Sequence, residues 1–219
     1  MMISEALARI MERYPPRGSP RTGDPFRGLV RVILSQNTSY VNEARAYEQL
    51  ERRIGVEPRR LAEASVEDIA SAIRPAGMHN IRAEVIKRLS EVLLSRYDGD
   101  LWKILRKEVG EAREELINLP GVGRKTADVL LLFEANRPVM PIDRHIFRIA
   151  KRLGLVTGKP DYERTRLVLE SMIPSDKLEH GHLSLIEFGR RICRARAPLC
   201  GSCPLADICP SAEPKGEDE

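Results

Sequence analysis

Leu119-Pro120-Gly121-Val122-Gly123-Arg124-Lys125-Thr126-Ala127-Asp128 is the stretch from which the rest of the chain can be read. Helical spacing of apolar residues runs up to Asn118 and resumes near Arg124, so the stretch joins two helices through a tight turn. Gly121 and Gly123 permit that turn and leave its backbone N–H groups exposed. Exposed N–H groups at a helix N-terminus form a ready phosphate site. A plain helix–helix turn with glycine stops is the simpler alternative. The Gly-x4-Gly-Lys spacing of a Walker A loop is absent.

Working outward, helical periodicity dominates. Val41, Ala44, Tyr47, Leu50 and Ile54 recur every three or four residues, and so do Ile81, Val85, Leu89 and Val92. Ser65 and Asp68 resemble a capping box ahead of Ile69 and Ile73. Further helices are predicted over 109–118, 124–135, 144–153, 162–172 and 183–191. No convincing hairpin signal separates alternating strands. An all-α fold of roughly ten helices is predicted. Pro15, Pro16, Gly18, Pro20, Gly23 and Pro25 set the first helix apart, and Pro138 and Pro141 stiffen the connection over 136–142. The stretch between these breaks reads as one helical block, and the flanking pieces as a second unit. The boundaries expected are 24–137 for the block, 1–23 with 138–210 for the second unit, and 211–219 for a disordered acidic tail.

Composition sets limits on what the chain does. Net charge is +4, which permits a polyanionic partner without requiring one. Charged residues make up 31% of the chain and Asn plus Gln number seven, a balance that suits a thermophile. Only two glutamines occur, Gln36 and Gln49. No apolar run approaches the roughly 20 residues of a membrane span. The opening MMISEALARIMERY carries acids and is amphipathic, so it reads as a helix and not as a signal peptide. An intracellular protein is expected.

The four cysteines, Cys193, Cys200, Cys203 and Cys209, are the only ones in the chain and fall in the pattern C-x6-C-x2-C-x5-C. Four soft ligands within 17 residues can close a sulfur cage around zinc or an iron–sulfur cluster. A pair of disulfides is the alternative, but secreted disulfide scaffolds are much richer in cysteine. The paired C-x2-C knuckles of a zinc ribbon are absent, which leans toward a cluster.

The hairpin, the cysteines and the segment Pro141-Ile142-Asp143-Arg144-His145 together resemble the endonuclease III family of DNA repair glycosylases. L-P-G-V-G-R-K-T-A-D is similar to that family's helix–hairpin–helix. Asp143 stands 18 residues past Lys125, in Pro141-Ile142-Asp143-Arg144-His145-Ile146-Phe147-Arg148, which resembles the family's V-D-T-H-I-F-R segment. The cysteine spacing resembles its [4Fe–4S] loop. The likeness runs from about Asp24 to Cys209. It implies a two-lobed helix–hairpin–helix glycosylase fold, a six-helix barrel plus an iron–sulfur cluster domain, with DNA bound between the lobes. It implies Lys125 as nucleophile, Asp143 as essential acid and the four cysteines as cluster ligands. Read without the resemblance, Lys125 is a solvated residue of a first helical turn and Asp143 an N-cap.

The implied chemistry explains the residue types. A glycosylase extrudes its target nucleotide before reaching C1′. The base leaves with oxocarbenium character, which the carboxylate of Asp143 can stabilise. Lys125 attacks only as the free amine, which burial, Arg124 and the helix N-terminus would all favour. The Schiff base that follows permits β-elimination of the 3′ phosphate, so a combined glycosylase and abasic-site lyase is implied.

Ile33-Leu34-Ser35-Gln36-Asn37-Thr38 resembles the family's S-Q segment, and Gln36 would fill the gap left by the extruded base. Gly77-Met78-His79-Asn80 lies where the family often has G-L-Y-N. Met78 would be the apolar wedge, with His79 in place of tyrosine. The alternatives are a surface amide for Gln36 and a core side chain for Met78. Gly121, Gly123 and Arg124 would meet phosphates, joined by Arg194 and Arg196 of the cluster loop. Ala197 and Leu199 depart from the basic residues usual in that loop, and Arg190, Arg191 and Arg194 offer compensation.

Sister branches narrow the substrate. The adenine-removing branch has a glutamate where Arg31 stands, and a large further domain. The thymine-mismatch branch has tyrosine where Lys125 stands. Alkyl-base glycosylases lack the lysine. Lysine therefore implies oxidised pyrimidines of the thymine glycol type, with a glycosylase for U or T opposite G as the alternative. A DNA-binding module without catalysis is a third reading. The expected partner is double-stranded DNA bearing damaged bases or abasic sites. The expected state is a monomer in a prokaryotic cytoplasm, associated with the nucleoid.

Overall fold

The computed structural model describes residues 2–159 and 161–212; the end of the expected tail, from residue 213, lies outside the described residues. The described residues hold twelve α-helices and no strand. They are α1 (Met2–Arg13), α2 (Pro25–Ser35), α3 (Tyr40–Arg53), α4 (Pro58–Glu63), α5 (Val66–Ile73) and α6 (His79–Tyr97). After them come α7 (Trp102–Leu105), α8 (Val109–Ile117), α9 (Arg124–Phe133), α10 (Arg144–Arg152), α11 (Tyr162–Met172) and α12 (Leu178–Arg191). The chain divides into a central unit, Pro20–Arg137, and a terminal unit built from Met1–Ser19 and Pro138–Glu219.

Local signals in the sequence set the ends of these helices. Asp24 caps α2 by accepting from the N–H groups of Phe26 and Arg27, with Pro25 at the first helical position. Ser65 caps α5 by accepting from the N–H of Asp68, and its hydroxyl donates to the Asp68 carboxylate, so the expected cap is present without the reciprocal bond to the Ser65 N–H. α6 stops where Asp98 and Gly99 turn left-handed, and the Gly99 N–H returns to the Leu93 carbonyl.

In the central unit, α6 packs on α4 and α5, α3 on α5 and α2, and α8 on α9. Leu29, Ile33, Leu50, Ile73, Ile86 and Leu89 are almost wholly buried there. Each such side chain contributes roughly 1.5–3 kcal/mol through burial. In the terminal unit, α12 packs on α1 and α10, around Ile10, Ile149 and Phe188. The Tyr14 ring meets that of Phe188 at 5.3 Å.

Two apolar positions do not follow their helix's pattern. Val41 is 71% exposed and Ile81 60% exposed, although both fit the periodicity of buried residues. Each lies in the first turns of its helix, at an end that the neighbouring helices do not cover.

Candidate functional site

The hairpin of the central unit is built from α8, a glycine turn and α9. Leu119 N–H returns to the Leu116 carbonyl and Val122 N–H to the Leu119 carbonyl, which closes the turn. The two glycines have different reasons to be there. Gly121 has φ +75°, and a Cβ there would come within 2.3 Å of Val85 Cγ1. Gly123 has φ −93°, and a Cβ there would meet nothing. No constraint inside the central unit requires glycine at 123. A bare backbone there lets an outside group approach the start of α9. That start has no side-chain cap, so its first N–H groups point outward.

Arg124 and Lys125 are exposed, while Thr126, Ala127 and Asp128 turn inward. The burial expected to favour a free amine at Lys125 is therefore not supplied by the central unit. As the second residue of α9, Lys125 projects on the outer face of the first turn.

Asp128 is fully buried and faces Arg113 on α8, with Nε to Oδ1 at 2.6 Å and Nη2 to Oδ2 at 3.3 Å. This two-pronged ion pair ties the two helices of the hairpin. The sequence reading quoted Asp128 inside the motif without giving it a role.

Two loops of the same unit carry Gln36 and Met78. Gln36 is exposed at the end of α2, followed by Asn37 at φ 52°. Met78 is 57% exposed and left-handed at φ 48°, so the core reading does not hold for it. Left-handed backbone costs a non-glycine residue roughly 1–2 kcal/mol, and such strain persists only where the surroundings enforce it. His79 is half-buried at the start of α6. The Thr38 hydroxyl donates to the Ala76 carbonyl, joining the loops. Arg31 pairs with the buried Glu43 through two hydrogen bonds, of 2.9 and 3.2 Å, and lies over the Tyr47 ring.

In the terminal unit three side chains hold the segment leading to Asp143. Glu170 accepts from Met140 N–H at 2.8 Å, the Tyr162 hydroxyl lies 3.2 Å from Ile142 N, and His182 lies 3.0 Å from the Pro141 carbonyl. Asp143 is half-buried and caps α10, its Oδ1 accepting from His145 N–H and Ile146 N–H, both at 2.8 Å. Among the described residues its Oδ2 accepts no hydrogen bond. Lys125 belongs to the central unit and Asp143 to the terminal one.

Further along α10, two arginines grip the cysteine segment. Arg148 donates to the carbonyls of Cys193 and Gly189, both at 2.9 Å. Arg152 donates to the Cys193 sulfur at 3.2 Å and to the Arg194 carbonyl at 2.7 Å. Neither was singled out in the sequence for this task. Arg194 and Arg196 are exposed.

The four cysteines form no disulfide and line one cavity with Phe188 and Leu205. The disulfide alternative fails on that observation. Burial, with the three other thiols nearby, pushes the Cys203 thiol up. Among the described residues no three Cys, His, Asp or Glu side chains converge closely enough for a single metal ion. A zinc site needs its sulfurs about 2.3 Å from one atom. A four-iron cluster spreads its thiolates over four metals, one sulfur to each iron. The donor set, all sulfur, fits it.

No helix of the described residues is long and apolar enough to cross a membrane. Residues 30–175 match the HhH-GPD superfamily base excision DNA repair protein family, and residues 193–209 match the iron–sulfur binding domain of endonuclease III. The chain is 37% identical to endonuclease III of Thermotoga maritima over 218 residues, 100% of this chain and 97% of that protein. It is 33% identical to a thymine/uracil-DNA glycosylase of Pyrobaculum aerophilum, over 85% of this chain and 80% of that one. A solved structure of a trapped endonuclease III–DNA covalent intermediate superimposes with a TM-score of 0.83 at 29% identity, covering 96% of this chain and 95% of that one. The chain therefore belongs to the endonuclease III family of the HhH-GPD superfamily and is a base excision repair DNA glycosylase with a [4Fe–4S] cluster domain.

Proposed function

We propose that the protein is a bifunctional glycosylase and abasic-site lyase that removes oxidised pyrimidines from double-stranded DNA. The observation that carries this reading is Lys125. It is an exposed amine on the first turn of α9, beside an uncapped helix N-terminus suited to phosphate.

In this reading the N–H groups at Gly121 and Gly123 and the side chain of Arg124 hold the strand by its phosphates. Arg194 and Arg196 add charge from the cysteine loop. Gln36 and Met78 replace the stacking and pairing lost on extrusion, and His79 lines the entry. The Asp143 Oδ2 faces the positive charge that develops as the base departs. The Lys125 amine forms a bond to C1′ as the C1′–N bond breaks, and the base takes the electron pair. Sugar ring opening gives the Schiff base. Loss of a C2′ proton then expels the 3′ phosphate and nicks the strand. The cluster, held by Cys193, Cys200, Cys203 and Cys209, serves structure and not chemistry, since four thiolates leave no iron open to substrate.

The relative from Pyrobaculum aerophilum favours a second reading, removal of U or T opposite G. The test is a panel of duplexes bearing thymine glycol, U·G, T·G or an abasic site, assayed for base release, nicking and borohydride-trapped adduct. The proposed reading expects release and nicking at thymine glycol, and an adduct lost in Lys125→Ala with duplex binding kept. Release confined to mismatches supports the second reading. A folded Lys125→Ala that still forms adduct overturns the nucleophile.

A further inference from the structure

Arg82 is the fourth residue of α6 and is 5% exposed. A buried cation in the first turn of a helix opposes the helix dipole and lacks hydration. Among the described residues it forms no ion pair with a carboxylate. Its guanidinium instead donates to three backbone carbonyls: Ala76 at 2.5 Å, Gly77 at 2.6 Å and Gln36. Gln36 is the C-cap of α2, and Ala76 and Gly77 close the 3-10 turn ahead of Met78. These carbonyls lie at helix ends, where backbone acceptors otherwise lack partners. One planar fork therefore satisfies the loose ends of two loops 40 residues apart. Thr38 adds a second bridge to Ala76. Both loops carry left-handed, strained residues, Asn37 and Met78.

We propose that Arg82 is a positioning residue that fixes the Gln36 and Met78 loops in one register, so that the two side chains enter the duplex as a unit. The inference rests on the duplex-invading roles proposed above for Gln36 and Met78. The geometry explains why arginine stands here. A lysine offers a point charge that reaches one loop well, whereas a guanidinium offers several donors in fixed directions. Burial keeps Arg82 away from phosphates, so its contribution goes to loop geometry and not to counterion release.

The test compares Arg82→Met, Arg82→Lys and Thr38→Val with the wild-type protein. Each is assayed on one lesion placed in a duplex and in a single strand, with melting measured alongside. A misplacement of about 1 Å can cost about 10²-fold in turnover. Arg82→Met should therefore lose about that factor on the duplex and far less on the single strand, where no stack needs refilling. Arg82→Lys should recover part of the loss. The salt slope of duplex binding should stay at the wild-type value, because no phosphate contact is removed. In a Gln36→Ala/Met78→Ala background, Arg82→Met should cost little more, since residues acting through one another are not additive. Equal losses on both substrates, or additive losses in that background, overturn the inference. If Arg82→Met does not fold, the Lys and Val variants carry the same comparison, and an unchanged duplex-to-single-strand ratio in both overturns it. If Gln36→Ala and Met78→Ala themselves keep wild-type activity, the duplex-invading reading fails instead.

Discussion

Asp143 does two separable jobs, and substitutions divide them. Its Oδ1 accepts two N–H groups at the start of α10, both at 2.8 Å. Removing such a cap costs about 1 kcal/mol. Its charge at the positive end of α10 adds about 0.3–1 kcal/mol. Asp143→Asn keeps an oxygen able to cap and loses only the charge contribution, while Asp143→Ala loses both. For a chain of this size each kcal/mol moves the melting midpoint by roughly 2–4 °C. Asp143→Asn should then melt about 1–3 °C below wild type, and Asp143→Ala about 3–7 °C below. Catalysis should rank differently. Both variants lack the charge facing the oxocarbenium-like sugar, and loss of such electrostatic stabilisation costs about 10²–10³ in rate. Base release from a thymine glycol duplex should therefore collapse in both to a similar degree. The assay pairs thermal unfolding with single-turnover base release. If Asp143→Asn keeps wild-type release, or activity follows the melting order, the charge is not the working feature and Asp143 is a cap alone.

Arg113→Met should lower the melting midpoint by removing the two-pronged bond to the buried Asp128 carboxylate, and Arg113→Met/Asp128→Leu should restore most of it. Gly121→Ala should cost roughly 2–4 kcal/mol from its left-handed backbone and the contact with Val85. Gly123→Ala should leave stability within about 1 kcal/mol of wild type while weakening duplex binding, and an unchanged affinity contradicts the phosphate assignment. Burial holds the His145 imidazole below its ordinary value near 6.5. The folded state then binds fewer protons than the unfolded one, so stability present above about pH 6.5 should be lost as pH falls through the depressed value, and His145→Gln should flatten that slope in urea titrations. Anaerobic protein should contain about four irons and four sulfides per chain; Cys203→Ser should lower both and the melting midpoint together, and zinc alone would contradict the cluster.

The helical class was legible because its signals are local. Ser65 with Asp68, and the recurrence of Tyr47, Leu50 and Ile54 and of Val85, Leu89 and Val92, each specify a turn or a face within a few residues. The hairpin and the cysteines stood out for the same reason. Val41 and Ile81 fit the helical period and are nonetheless exposed, because period reports a face and not whether a neighbour covers it. Met78 was open between core and wedge for that reason as well. The central unit does not supply the burial expected at Lys125, because the second residue of a helix is placed by its rotation about the axis and α9 turns Thr126 and Ala127 inward instead. Arg82 and Arg113 had no local signature. Arg82 reaches Gln36, 46 residues away, besides its nearer partners Ala76 and Gly77, Arg113 reaches Asp128 15 residues on, and an arginine in a helix reads as solvated until the fold buries it.

The residues that were not legible share a physical role. Arg82, Arg113, Arg148 and Arg152 each spend a guanidinium on backbone carbonyls, a buried carboxylate or a sulfur inside their own unit. Each fixes an element that carries a candidate site residue: the Gln36 and Met78 loops, the hairpin beneath Lys125, and α10 with Asp143 at its start. The exposed groups proposed to meet DNA are the reverse case. Met78, Lys125 and the bare backbone at Gly123 have little to hold them in place by themselves. A strained loop or an uncapped helix end keeps its geometry only if something rigid stands behind it. In this chain that backing is largely arginine, chosen for planar, many-donor reach. The positive charge of the sequence therefore serves more than one end: Arg82 is buried and Arg113, Arg148 and Arg152 half-buried as scaffolding, while Arg9 and Lys107 pair with surface carboxylates. Counting arginines in the sequence cannot separate these roles, whereas the partners each one meets do.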